Sequence, residues 1–166
     1  MELRYLTKKI IYLVNILIPL FLGTVLYIAF RQDTYIARWF YRIFHIEFLI
    51  EANENICVKF IQNYMCDMLW AYALMMALWL ASGKTMLYRV GMMTFLFTML
   101  VECLQIIELM KGTFDVWDIL LEGIAISIAT FAIERIEKDA DEDEKEIDIG
   151  DNSTRGILDD GYWKRF

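Results

Sequence analysis

The chain has 166 residues, 58% of them apolar and 15% aromatic, against about 45 to 50% apolar in an average soluble domain. Its net charge of −7 is local: residues 134–151 hold ten acids and three bases, and the rest of the chain holds thirteen of each. A neutral, strongly apolar body with an acidic C-terminal stretch predicts an all-α integral membrane protein. It has no basic patch interleaved with aromatics, which excludes a protein that tracks nucleic-acid phosphates.

Residues 10–30 run for 21 positions without a charge, enough at about 1.5 Å per residue to cross a hydrocarbon core of ~30 Å. Lys8 and Lys9 precede this run as in a signal peptide. The apolar stretch is too long for one and no small-residue cleavage site follows, so an uncleaved first span is expected. Pro19 removes one backbone donor within it, which neighbouring helices can tolerate.

Residues 31–66 are too many for a simple turn. Thr34, Arg38, Arg42 and His45 recur at helical spacing opposite Tyr35, Ile36, Trp39, Phe40, Ile43 and Phe44, a pattern suited to a helix lying in the membrane interface. His45 stands alone among arginines and aromatics, so a headgroup contact outranks a catalytic role. Cys57 and Cys66 can bridge only in an oxidising compartment, and Cys103, in an apolar run, reads as a small buried hydrophobe. The three cysteines form no metal-binding pattern, and no metal site is expected.

A second span is expected at residues 64–82, a third at 90–109 and a fourth at 117–133. Arg4, Lys8, Lys9, Lys84 and Arg89 lie at the ends that the positive-inside rule assigns to the cytoplasm. This gives a multi-pass protein of the cell membrane with both termini cytoplasmic, a single helical membrane domain over residues 1–136, and an acidic tail over 137–166. The tail is expected to extend the last helix briefly and then become solvated or disordered.

The chemistry-bearing stretch is 101–123, VECLQIIELMKGTFDVWDILLEG. Ionisable groups near the bilayer centre cost about 2.5 to 3.5 kcal/mol each on insertion scales, so their presence calls for a function. Asp115, Asp118 and Glu122 fall on one helical stripe, and Glu102 and Gln105 on another. The turn containing Lys111 and Gly112 joins the two helices as an antiparallel pair, which sets Glu102 and Glu122 at similar depth and lets them share a proton. Asp67, opening the second span near Tyr64, can reach the same outer pocket, and Lys111 supplies a cation for an anionic group. Asp115 also reads as an ordinary helix N-terminal acid, and Glu108 as a residue reaching interfacial water. No sequence motif names a cofactor or a catalytic residue.

Glu102-x-x-Gln105, then Lys111, then Asp118 opening another span, resembles the VanZ-like family of small bacterial membrane proteins. The likeness covers mainly residues 67–129 and extends to CDMLWAYAL in the second span. This chain departs from the family pattern in having Lys111 for Arg, Glu122 for Asn, and Ala125 and Ala129 for Gly. The resemblance implies a polytopic protein, some of whose relatives are linked to teicoplanin resistance. The expected function is a polar pocket facing out of the cell and binding membrane lipids or envelope precursors, lined by Asp67, Glu102, Gln105, Lys111, Asp115, Asp118 and Glu122. The alternatives are a membrane enzyme using a carboxylate pair, and an accessory subunit whose acids pair with a partner membrane protein.

Overall fold

Inside a hydrocarbon layer backbone N–H and C=O groups have only each other for partners, so an apolar chain of this length is driven into helices. The computed structural model follows that rule: every regular element among the described residues is helical. It describes the backbone of residues 2–30, 35–44, 55–83, 86–106 and 115–162, and the side chains of 6–30, 38–43, 55–83, 86–104 and 115–140. Four helical stretches are long and apolar enough to cross a membrane: Leu6–Phe30, Ile56–Ala81, Leu87–Leu104 and Val116–Ala140.

Helix α1 spans Glu2–Phe30 and contains Pro19. Its Leu13, Leu17, Ile18, Phe21 and Leu22 are exposed while Tyr12, Ile16, Ile28 and Ala29 are buried, so it offers a broad apolar face to lipid and a narrow one to the protein. Helix α2, Tyr35–Phe44, is short and amphipathic. The Tyr41 hydroxyl donates to the Ile28 carbonyl at 2.9 Å, tying α2 back to the end of α1. Arg38, Trp39, Arg42 and Ile43 of α2 are exposed.

The second span differs from the expected 64–82 by starting eight residues earlier. Asn55 caps its first turn by accepting from the Cys57 N–H at 3.0 Å, the kind of side-chain acceptor that fixes a helix start. From there α3 (Ile56–Phe60), a π-helical turn (Ile61–Met65) and α4 (Cys66–Ala81) follow without a break. The weakly periodic polar residues of 55–63 hid this extension. Along such a helix Cys57 and Cys66 stand about 13 Å apart, too far for a bridge, and neither is in a disulfide. Ser82 closes α4 by donating its N–H to the Leu78 carbonyl at 2.9 Å, and Gly83 follows at φ +63, the left-handed position that glycine occupies at little cost.

Helix α5 spans Leu87–Ile106 and α6 spans Val116–Tyr162. The acidic stretch expected to leave the helix soon after residue 136 is helical as far as Tyr162. It contains no proline, and Glu134/Lys138, Asp141/Lys145 and Asp151/Arg155 have the i,i+4 spacing that supports a solvated helix. The chain divides into two units, Met1–Thr130 and Phe131–Phe166. In the second, the Arg135 guanidinium lies over the Phe131 ring, 5.6 Å from its centroid.

Within the first unit a few contacts fix how neighbouring helices are matched. Between α1 and α4, Trp79 Nε1 donates to the Tyr12 hydroxyl at 3.1 Å, the Tyr72 hydroxyl donates to Asn15 Oδ1 at 3.0 Å, and Cys66 Sγ donates to the Gly23 carbonyl at 3.5 Å. Between α4 and α5, the Thr94 hydroxyl lies 3.4 Å from Met75 Sδ, and the Trp70 and Phe97 rings pack at 6.2 Å. Between α5 and α6, a Cβ on Gly123 would stand 3.4 Å from Phe95 Cε2, and one on Gly91 would stand 3.9 Å from Thr130 Oγ1. In each pair the numbers rise on one helix as they fall on the other, so α1, α4, α5 and α6 are antiparallel in sequence.

Hydrogen bonds between membrane helices are worth about 0.6 kcal/mol on average. Tyr72→Phe is therefore expected to lower unfolding stability in mixed micelles by roughly that amount. The same change in an Asn15→Ala background should have little further effect; an undiminished loss there would show that the two side chains are not coupled.

Candidate functional site

Three of the helices carry a buried stripe that ends in an acid at the same end. On α4 the stripe is Asp67, Ala71, Met75; on α5 it is Glu102, Thr98, Thr94, Val90; on α6 it is Asp118, Glu122, Ala125, Ala129. Steps of three and four residues keep each set on one face. Ala71, Met75, Thr94, Thr98, Ala129 and Val90 are buried, and Glu102 and Glu122 are each only 3% exposed. The helix pairing brings the acidic ends together.

Glu122 is the centre of the cluster. The Thr98 hydroxyl is within hydrogen-bonding reach of its carboxyl group, and among the described residues the charges that act on it belong to Glu102, Asp67 and Asp118, all of one sign. Three helices thus contribute carboxyl groups to one neighbourhood. One oxygen each of Glu102, Asp118 and Glu122 is buried without a hydrogen-bond partner, which costs on the order of 1 to 3 kcal/mol per buried polar group, more when charged.

Matching the helices through their contacts gives the order of these groups across the layer. With Phe95 of α5 against Gly123 of α6, Thr98 and Glu122 lie within about 5 Å of that level along their helices, and Asp118 and Glu102 about 7 to 11 Å from it. This refines the expected depth match of Glu102 with Glu122. Close packing of Phe95 on Gly123 puts Thr98 level with Glu122, and Glu102 a turn further out beside Asp118.

Further out again, Asp115 ties the assembly together. Its Oδ1 accepts from the Trp117 N–H at 3.1 Å, capping α6, and its Oδ2 accepts from the Tyr64 hydroxyl at 3.1 Å. Tyr64 sits in the π-helical turn, a rare geometry that re-aims side chains and is frequent at functional sites. Asp115 is thus both a cap and a link from α6 to the second span, at the N-terminal end of α6.

The column stops at Glu122. Beyond it lie buried Met75, Met76, Ala125, Ile126 and Ala129, and the Thr94 hydroxyl is turned to its own helix, 2.8 Å from the Val90 carbonyl. Among the described residues, no three His, Cys, Asp or Glu side chains converge closely enough to hold a metal ion.

Of the seven residues expected to line a pocket, Asp67, Glu102, Asp118 and Glu122 are brought together, and Asp115 stands at the outer end. The side chain of Gln105, and Lys111 altogether, lie outside the described residues, as do Glu108 and His45. The sequence reading passed over Thr98 and the Tyr64 link. Thr98 was detectable, because Thr94, Thr98 and Glu102 recur every fourth residue on a helix otherwise built of Leu, Met and Phe. The Tyr64 link depends on the π-helical turn, which has no simple sequence signal.

These features define the class: among the described residues an all-α protein with four helices long and apolar enough to cross a membrane and acids of three helices buried or half-buried near one another. Comparison with known proteins goes no further, since no family model, no curated protein and no solved structure matches the chain.

A buried carboxyl kept for ligand binding rather than stability leaves a signature, because an apolar residue of similar size fits its surroundings better. Glu122→Met is expected to raise the unfolding stability of the purified protein by about 1 to 3 kcal/mol. A loss of stability would instead make Glu122 a structural element of the helix interface.

Proposed function

We propose that the protein is a multi-pass protein of the cell membrane that binds the headgroup of a membrane lipid or envelope precursor in the polar column between α4, α5 and α6. The observation that carries this reading is the gathering of Asp67, Glu102, Asp118 and Glu122 from three helices at one end of an otherwise apolar assembly. Each of these groups loses hydration on folding, and three helices would not converge on them to gain stability. Hydrogen-bond donors on a bound headgroup offset that cost.

Lysines and arginines near the start of α1 and between α4 and α5 orient the N terminus to the cytoplasm. The acidic end of the column lies at the opposite ends of the helices and so faces out of the cell. Helix α2 starts at that same side, and its exposed Arg38 and Arg42 beside Trp39 and Ile43 suit a helix lying on anionic headgroups. The VanZ-like resemblance of residues 67–129 agrees with an envelope role and places glycopeptide response among the phenotypes to be measured.

Two experiments test this. Cys57 is exposed at the outer end of the second span, so a membrane-impermeant maleimide is expected to label it in intact cells and to leave Cys57→Ser unlabelled. Labelling only after permeabilisation would reverse the orientation. Lipids copurifying with the full-length protein should include a species retained by the wild type and lost from the Glu102→Gln/Asp118→Asn variant at equal expression. An unchanged lipid profile would remove the headgroup reading.

A further inference from the structure

Helix α2 carries a surface of its own, apart from the acids. Among its described side chains Arg38, Trp39, Arg42 and Ile43 are exposed, Trp39 by 62% and Ile43 by 50%, while Phe40 and Tyr41 are half-buried. The stretch Tyr35–Phe44 holds two arginines and no acid. It therefore presents charge of one sign next to exposed apolar groups.

One hydrogen bond fixes both its height and its rotation. The Tyr41 hydroxyl donates to the Ile28 carbonyl at 2.9 Å. That carbonyl lies in the last turn of α1, where the final four carbonyls have no partner along their own helix. The 21 uncharged residues from Ile10 to Phe30 measure about 32 Å, close to a hydrocarbon core of ~30 Å. With Lys8 and Lys9 at one surface, the last turn of α1 reaches the other, and Tyr41 holds α2 there. At about 100° per residue, a Tyr41 turned to α1 sets Arg38 and Arg42 together on one flank of α2 and Phe40 on the opposite flank. Trp39 and Ile43 then face away from α1. A basic flank opposed to an aromatic one is the arrangement of a helix lying flat in the interface.

Charge decides which lipid suits this face. A phosphatidylcholine or phosphatidylethanolamine headgroup carries its own ammonium beside its phosphate. Phosphatidylglycerol does not, which leaves its phosphate to a guanidinium, a group that takes phosphate oxygens in pairs. Arg38 and Arg42 are one turn apart, about 5 to 6 Å between their Cβ atoms, so both can act on one phosphate.

We infer that α2 is a lipid-selecting helix: Arg38 and Arg42 draw an anionic phospholipid of the leaflet at the C-terminal end of α1, and Trp39 and Ile43 lie against its upper acyl chains. This goes beyond the headgroup reading of the acids and does not rest on it, since it needs only that α1 crosses the membrane.

The test uses full-length protein in vesicles of phosphatidylcholine and phosphatidylglycerol in equal parts, with brominated acyl chains on one lipid or the other. The difference in fluorescence quenching between wild type and Trp39→Phe isolates Trp39. Bromine on phosphatidylglycerol is expected to quench Trp39 as though that lipid were enriched about fivefold or more beside it, the factor one arginine gives near an anionic surface. The enrichment should fall toward parity in high salt. Arg38→Gln/Arg42→Gln should bring it to parity in low salt, and Arg38→Lys/Arg42→Lys should keep most of it. Trp117, also 62% exposed but adjacent in sequence to Asp118, should show none. Glu102→Gln/Asp118→Asn should leave the Trp39 preference intact, which keeps this result separate from the headgroup reading.

Equal quenching of Trp39 by the two lipids overturns the selection, as does a preference that survives loss of both arginines or is shared by Trp117. An absence of quenching by either lipid overturns the placement of α2 in the membrane surface. If Trp39→Phe folds poorly, total tryptophan quenching of the wild type decides: a phosphatidylglycerol preference that salt does not weaken, or no preference, overturns the inference.

Discussion

The structure depends on antiparallel helix register. Within a bilayer, neighbouring helices gain little from hiding apolar surface, because lipid is as apolar as leucine. Register is then set by a small number of close approaches and polar contacts. Here these are Tyr72 with Asn15, Trp79 with Tyr12, Thr94 with Met75, and Phe95 against the bare face of Gly123. A slip of four residues at the last of these would carry Glu122 a full turn, about 5.4 Å, away from Thr98. The carboxyl cluster is a consequence of register before it is a feature of composition.

Register also divides labour among the acids. Asp115 has its oxygens engaged by the Trp117 N–H and the Tyr64 hydroxyl, so it serves structure at the outer end. Glu122, about two turns further along α6, is buried beside Thr98 with one oxygen unpartnered. Two carboxyls on one helical stripe thus differ because one caps the start of α6 and the other is buried about two turns inside it. Thr94 and Thr98 each donate to their own helix, to the Val90 carbonyl at 2.8 Å and the Phe95 carbonyl at 3.1 Å, but Thr94 meets the Met75 sulfur whereas Thr98 meets the Glu122 carboxyl group.

Much of this was legible in the chain. The run 10–30 gave its helix because no charge interrupts its 21 residues, and 117–133 gave its own because Asp118 and Glu122 share one helical face in an otherwise apolar stretch. The grouping of Asp118 with Glu122, and their approach to Glu102, followed from spacing and a short connection. The start of the second span did not, since residues 55–63 mix Asn, Lys and Gln with apolar positions and the helix there is held by the Asn55 cap and a π-helical turn. The length of α6 was also missed. Charge density argues against a packed core but not against a helix, which needs only internal hydrogen bonds and favourable i,i+4 pairs.

Glu122 draws these strands together. A carboxyl group there strengthens no helix contact that an amide or an apolar residue could not make more cheaply, and it brings same-sign charge to Glu102, Asp67 and Asp118. A helix interface built only for stability would put an apolar residue at this level, as it does one and two turns further in with Ala125 and Ala129, both buried. The acid therefore marks where the interface stops serving packing.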